Sequence, residues 1–389
     1  MFKGFFSIFG SEVVRIITSP RLLFLIIGIP LGLFIYYTSL LNSGVPEKLP
    51  VVLYDQDRTQ TSRQLGRMLN SSSSLNIVSE VFSYKDGEKK VRTDEALAFI
   101  IIPDDFEKNI FKGNSVSVVC YYNSQYILAG GIINKAFQTV VGTFSAGAHI
   151  KALMQKGNSS YQALAATSPV NTDKHILFNP YTNYSYYLNL SLMPMSIQIV
   201  IIVISIFSLG SVLKYDQGKE LLEVGNQKIG VICMAKLLPY TIIFSIIGFF
   251  MNSLLYYKIK IPMHGNIWMI NLYFIFFIII CQCVALFFVS LSTSLRAALT
   301  IGGGFAAISF SFAGYTFPEE GMPTVIKFIN YCFPFTSYLR LTINYAVRGM
   351  NINIYDWKYI LALIIFLILG FVSMFIYGNK LKKGGYDVK

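Results

Sequence analysis

The chain has 389 residues, of which 54% are hydrophobic and 13% charged, with a formal net charge of +12. Soluble domains carry about 25% charged residues. Here the deficit is concentrated in long apolar stretches while other stretches are ordinary, which excludes a wholly soluble globule and fits membrane spans joined to a soluble portion. The basic balance does not point to nucleic acid, because no polar segment carries a basic stripe with interleaved aromatics.

Residues 1–20 predict a cytoplasmic interfacial helix. At about 100° per residue, Phe2, Phe5, Phe6, Phe9, Val13, Ile16 and Ile17 share one face. Lys3, Ser7, Ser11, Arg15 and Thr18 lie opposite, with Ile8 and Val14 as exceptions. An amphipathic helix beside a span is expected to lie on the leaflet surface. The apolar run that follows is of span length with no small-x-small cleavage signal behind it, so it is expected to be an anchor rather than a leader.

Six runs are long enough to cross a bilayer: 22–41, 192–213, 231–256, 268–293, 298–317 and 358–378. Lys3, Arg15 and Arg21 before the first run place the N-terminus in the cytoplasm. Six crossings return the C-terminus there, where Lys380, Lys382, Lys383 and Lys389 sit. The expected organisation is an interfacial helix over 1–20, a first transmembrane helix over 21–41 and an extracytoplasmic α/β domain over 42–190. A five-helix transmembrane domain over 191–379 and a cytoplasmic tail over 380–389 complete it.

Within 42–190, strands are expected at 51–54, 75–79, 97–102 and 116–122. Helices are expected at 59–69, 104–111 and 124–156. The segment 318–350 is too apolar for a plain outer loop and too broken by Pro318, Pro323 and Pro334 to span; short re-entrant-like helices in the outer leaflet fit it.

Among Cys120, Cys233, Cys281, Cys283 and Cys332, only Cys120 lies in the polar insertion, so that domain has no internal disulfide. Cys281 and Cys283 are read as small hydrophobes in a helix. No phosphate loop, H-E-x-x-H or G-x-S-x-G motif occurs, and His149, His175 and His264 are isolated. The spans are nearly devoid of ionisable groups, which argues against an ion-coupled transporter or a charged pore. An energy source therefore has to arrive through a cytoplasmic surface. The substantial inner loop is 214–236, with Leu221 and Leu222 available to a partner. It is equally readable as a solvated loop carrying the positive-inside signal.

Several motifs in order resemble the ATP-binding-cassette exporter permeases of the second export type. Asp216 and Gly218 to Glu223 stand where that family has an acidic residue and a Gly-Thr-Leu-Glu-like run, and Lys236-Leu237-Leu238-Pro239-Tyr240 matches its next span start. Glu12, Arg15, Pro20 and Arg21 resemble its N-terminal pattern. Asp55-Gln56-Asp57-Arg58-Thr59 and Ile102-Pro103-Asp104-Asp105-Phe106 resemble marks of its large outer domain. Asn179-Pro180, Phe317 to Pro323, Pro334 and Arg348-Gly349 continue the series. The family's Arg-Gly-Thr is replaced by Gln217-Gly218-Lys219.

The resemblance implies a six-helix permease with an inserted outer α/β domain, working as two halves on two ATPase subunits. It implies coupling contacts at Asp216, Gly218, Glu220, Glu223 and Lys228. A path between the halves would be lined by the first, second and fifth spans, with Tyr36, Tyr37, Thr38, Ser39, Ser309 and Ser311 as polar groups. Interhelical hydrogen bonding is the plainer role for any one of these. ATP and Mg²⁺ would sit on the partner ATPase, leaving this chain without cofactor or enzymatic activity. Its other partners would be a second copy or paralogue, the lipid of a bacterial inner membrane and, optionally, a periplasmic adaptor. Drug-like, lipid-like or other amphipathic cargo suits an uncharged path. The alternative is a non-transport envelope protein, a receptor or assembly factor acting through its outer domain.

Overall fold

The computed structural model describes residues 2–167, 175–351 and 356–386. These fall into two compact units, Met1–Gly44 with Ile176–Lys389, and Val45–His175. In chain order, the first helices are α1 (Phe2–Thr18), α2 (Pro20–Leu23) and α3 (Ile29–Leu40). The second unit contains β1 (Leu49–Asp55), α4 (Gln60–Asn70), β2 (Leu75–Glu80), α5 (Tyr84–Arg92), β3 (Ala98–Ile102), α6 (Phe106–Lys112), β4 (Val119–Tyr122), α7 (Ile127–Gln155) and α8 (Ser160–Thr167). The first unit resumes with α9 (Tyr184–Lys214), α10 (Gly218–Val224), α11 (Ile229–Ser253), α12 (Ile267–Leu291) and α13 (Leu295–Ile308). It ends with α14 (Thr324–Tyr331), α15 (Pro334–Ala346) and α16 (Trp357–Lys383).

The helical unit is organised around α9, which packs against α3, α11, α12 and α13. Eight polar side chains of α9, among them Asn189, Gln198 and Ser208, are buried; the small serines let neighbouring backbones approach. A π-helical turn, Phe24–Gly28, joins α2 to α3, where Pro30 has no N–H to give the preceding turn and the amide of Ile29 reaches back to Phe24 O instead. Among the described residues, five helical stretches are long and apolar enough to cross a membrane: Pro20–Leu40, Tyr184–Lys214, Ile229–Lys258, Ile267–Leu291 and Trp357–Lys383.

The run expected to span at 298–317 differs. Its helix covers 14 residues, Leu295–Ile308, about 21 Å at 1.5 Å per residue and short of a ~30 Å hydrocarbon core. Ser309 Oγ turns back to Ala306 O (2.6 Å), and the chain continues in tight turns to Gly314, whose φ of +66° a helix cannot contain. The apolar pattern runs through these turns unbroken, which is why hydropathy alone extended the helix.

The second unit is a four-stranded sheet in the order β2-β1-β3-β4, with β1 parallel to both β2 and β3 and β4 antiparallel to β3. Val51, Leu53, Ile100 and Ile102 pack beneath Leu65, Leu69, Phe106 and Ile133 on one face; Val52 and Phe99 pack with Val81 and Ala96 on the other. Thr59 caps α4 in a reciprocal box with Ser62. Two helices escaped the sequence reading. In α5 the residues are almost all polar and an Asp-Gly pair mimics a turn, yet Gly87 lies flat on the Phe99 ring. In α8 the helix is brief and packs on α7.

Gly370 of α16 lies against the backbone of α12: an added Cβ would be 2.4 Å from Cys283 Cβ and 3.0 Å from its Cα. Gly370→Val is expected to cost about 1–3 kcal/mol by overpacking, seen as a lowered melting temperature in detergent, whereas Gly304→Ala, which faces open space, should leave it unchanged.

Candidate functional site

The loop at 214–236 folds into α10, a seven-residue helix set between α9 and α11. Left-handed backbone at Asp216 (φ +52°) leads into it, and the same conformation at Asn226 and Gln227 leads out. Gly218 is buried: its N–H donates to Gly384 O (3.3 Å), and a Cβ there would stand 2.6 Å from Leu381 O at the end of α16. On the other side, α1 passes so close that a Cβ on Gly4 would meet Val224 O at 2.2 Å. The helix is thus clamped between the N-terminal helix and the end of the last one, where Gly385 fits against Asp216 and Tyr386 N–H donates to Leu213 O (3.3 Å).

This clamping decides which side chains remain outward. Leu222 is buried in the unit's core and Leu221 packs partly against it, so the two leucines expected to face a partner are instead used internally. Asp216, Glu220, Glu223 and Lys228 are exposed. Of the five residues singled out as coupling contacts, Gly218 alone is buried, at the joint with α16.

Beneath α10, a polar cluster ties α1 to two spans. Glu12 is 3% exposed. Its Oε2 accepts from Lys236 Nζ of α11 (2.8 Å), and its Oε1 accepts from Tyr240 Oη (3.0 Å), Ser208 Oγ of α9 (2.9 Å) and Arg15 Nη1 (3.2 Å). Arg15 also donates to Ser211 Oγ (3.1 Å) and lies over the Phe207 ring. Burial opposes ionisation of Glu12, but the Lys236 ammonium and the hydrogen bonds hold its carboxyl below the usual 4.5. The buried stripe of α1 is therefore Ile8, Glu12 and Ile16, while Phe6, Val14 and Ile17 face outward. Ile8, an exception to the expected apolar face, is an anchor because the helix has two working faces. Lys236, counted by sequence as an inside loop charge, is 4% exposed. A lysine and a tyrosine four residues apart at a span start, with an acid in the preceding amphipathic helix, were the available signal.

The polar groups proposed for a path separate into two sets. Ser309 Oγ contacts Gln198 Oε1 (3.4 Å), Thr38 Oγ1 donates to Phe34 O (2.7 Å) and Ser196 Oγ donates to Tyr37 Oη (3.3 Å), so these three are engaged within the unit. Tyr36, Ser39 and Ser311 are exposed. The outer-segment prolines each start an element: Pro318 precedes a 3₁₀ turn (Glu319–Gly321), Pro323 precedes α14 and Pro334 opens α15. Glu319 accepts from Tyr331 (3.1 Å), Tyr359 (2.9 Å) and Lys358 (3.4 Å), with Arg340 at 3.7 Å. Its partial burial opposes ionisation, but Tyr359 and these cations keep its carboxyl below the ordinary value.

A buried acid–base cluster, a clamped helix with outward charges and, among the described residues, five span-length helices fit a multi-pass membrane protein. The family model described as ABC-2 family transporter protein matches residues 20–377, and the chain belongs to that family. Membership makes it the transmembrane permease component of a transporter whose partner is an ATP-binding-cassette ATPase subunit. The match begins after α1 and stops before the last turns of α16. No curated protein matches the chain.

Removing one member of a buried ion pair costs about 3–5 kcal/mol. Glu12→Ala or Lys236→Met should therefore lower the melting temperature sharply, and the double variant Glu12→Gln with Lys236→Met should recover most of the loss. Because Glu12 is depressed on folding, its contribution is complete above 4.5 and is lost only as pH falls through the lowered folded value. Wild-type stability should thus decline more steeply in acid than that of the double variant, as read by thermal unfolding across a pH series.

Proposed function

We propose that this chain is one half of the membrane part of an exporter driven by a separate ATPase, moving drug-like, lipid-like or other amphipathic molecules outward. The observation that carries the reading is α10: its apolar residues are spent inside the unit, its carboxylates Glu220 and Glu223 point out, and both ends are clamped. An ATPase can bias a membrane partner only through contacts that differ between its two states. Seated on α10, it would push at once on α1 and α16, and through Glu12 on α9 and α11. Asp216 and Lys228 flank the same surface; Gly218 would serve as the joint rather than as a contact.

In this proposal the chain crosses a bacterial inner membrane six times with both termini inside, α13 and the turns after it completing the fifth crossing. Residues 42–190 lie outside, α14 and α15 rest in the outer leaflet, and Phe6, Val14 and Ile17 of α1 face lipid. A second copy or a paralogue supplies the other half. The exposed Tyr36, Ser39 and Ser311 would face the path between halves, while Tyr37, Thr38 and Ser309 hold helices together. ATP and Mg²⁺ belong to the ATPase, and a periplasmic adaptor remains an optional outer partner.

Two measurements test this. A phosphate-loop ATPase should copurify from the native host in mild detergent, and Glu220→Lys with Glu223→Lys should lower its retention severalfold. Unchanged retention would remove α10 as the docking element. Failure to recover any ATPase, under conditions that keep comparable complexes whole, would shift the function to the outer unit as a receptor or assembly factor. Separately, Ser73→Cys, at an exposed position of the α/β unit, made with Cys120→Ser and Cys332→Ser, should react with a membrane-impermeant maleimide on intact spheroplasts; labelling only after lysis would invert the topology.

A further inference from the structure

We propose that the α/β unit carries a binding groove for a phosphate ester, built by Arg58, Arg63 and Arg67 where α4 runs beside the edge strand β2. The groove holds about 560 Å³. Arg63 and Arg67, one helical turn apart, line it from α4, and Gly66 between them lets the helix lie close on Leu53 of β1. Arg58 reaches it from the end of β1. Its backbone is fixed in the left-handed region (φ +52°) with its N–H donating to Asp55 Oδ1 (2.9 Å), and its guanidinium lies 4.9 Å from the Phe82 ring centre. Its backbone and its head are thus placed in advance, which lowers the entropy cost of binding.

The charges around the groove leave the guanidiniums available. None of the three arginines forms an ion pair among the described residues. Asp55, in the wall, is already satisfied by the amides of Asp57 and Arg58 and by Ser62 Oγ. Glu80 at the rim is the remaining carboxylate, so a positive surplus persists. Ser79 Oγ, also in the lining, is buried with no hydrogen-bond partner. Past the C-terminal ends of β1 and β3 the arrangement differs: there Asp57 accepts from the amides of Phe106 (3.1 Å) and Glu107 (3.0 Å), filling the start of α6 with the chain's own anion. The groove beside β2 has no such plug. On the edge strand itself, the outward N–H of Ile77 is already taken by Asn70 Oδ1 (2.9 Å).

Guanidinium forks match the paired oxygens of phosphate. The volume exceeds a bare ion, and Leu53, Ile77, Val81 and Phe82 give an apolar floor, so the ligand class is phosphate on a small organic body. That chemistry is shared by a phospholipid headgroup and by a soluble phosphate ester.

The test is calorimetric titration of the full chain in maltoside detergent with glycerol 3-phosphate and with dihexanoyl phosphatidic acid. Saturable binding is expected, weakening with salt, and at least about tenfold weaker in Arg63→Gln with Arg67→Gln, for the loss of charge-assisted bonds. Binding of glycerol phosphate identifies a soluble ligand; binding of the short-chain lipid alone identifies a headgroup. Arg58→Gln, outside α4, decides the matter if the double variant fails to fold. Absence of saturable binding of both probes, or wild-type affinity in folded variants, overturns the proposal.

Discussion

The helical unit depends on one buried carboxylate. Glu12 meets an ammonium, two hydroxyls and a guanidinium contributed by α1, α9 and α11. Ions taken out of water each cost several kcal/mol unless pairing and hydrogen bonds return it, so the cluster is stable only when all three helices are in register. A merely apolar contact would let α1 slide or roll; this one fixes its rotation, and with it the side that turns Phe6, Val14 and Ile17 outward.

Fixing α1 also fixes α10. The close passage of Gly4 over Val224 and of Gly218 under Leu381 leaves no room for side chains at either crossing, so the short helix has no independent position. A seven-residue helix is far below the length at which a helix is stable in water alone. Its order comes from these two crossings and from Leu222 in the core. Rigid support beneath an exposed charged surface is what transmission of force through that surface requires.

Much of this was readable from residues. Strand positions in the α/β unit followed from short apolar runs ended by turn chemistry, and the long spans from hydropathy. What was hidden is instructive. Lys236 counts as a loop charge on any linear scale, because only the tertiary contact with Glu12, 224 residues away in sequence, explains its burial. Leu221 and Leu222 look available because a heptapeptide gives no sign of which face its neighbours cover. The end of α13 was invisible because Phe310, Phe312 and Ala313 remain apolar after the helical hydrogen bonds have stopped.

The chain leaves the helical unit and re-enters it at almost the same point. Gly44 O accepts the amide of Tyr184 (2.6 Å), and Gly44 packs so tightly on Asn183 that a Cβ there would collide with its amide. The start of α9 is therefore stitched to the chain just after α3, within the helical unit itself. Such a closed seam makes the α/β unit modular: the intervening polypeptide can lengthen, shrink or be exchanged for another domain while the helices on either side keep their own junction.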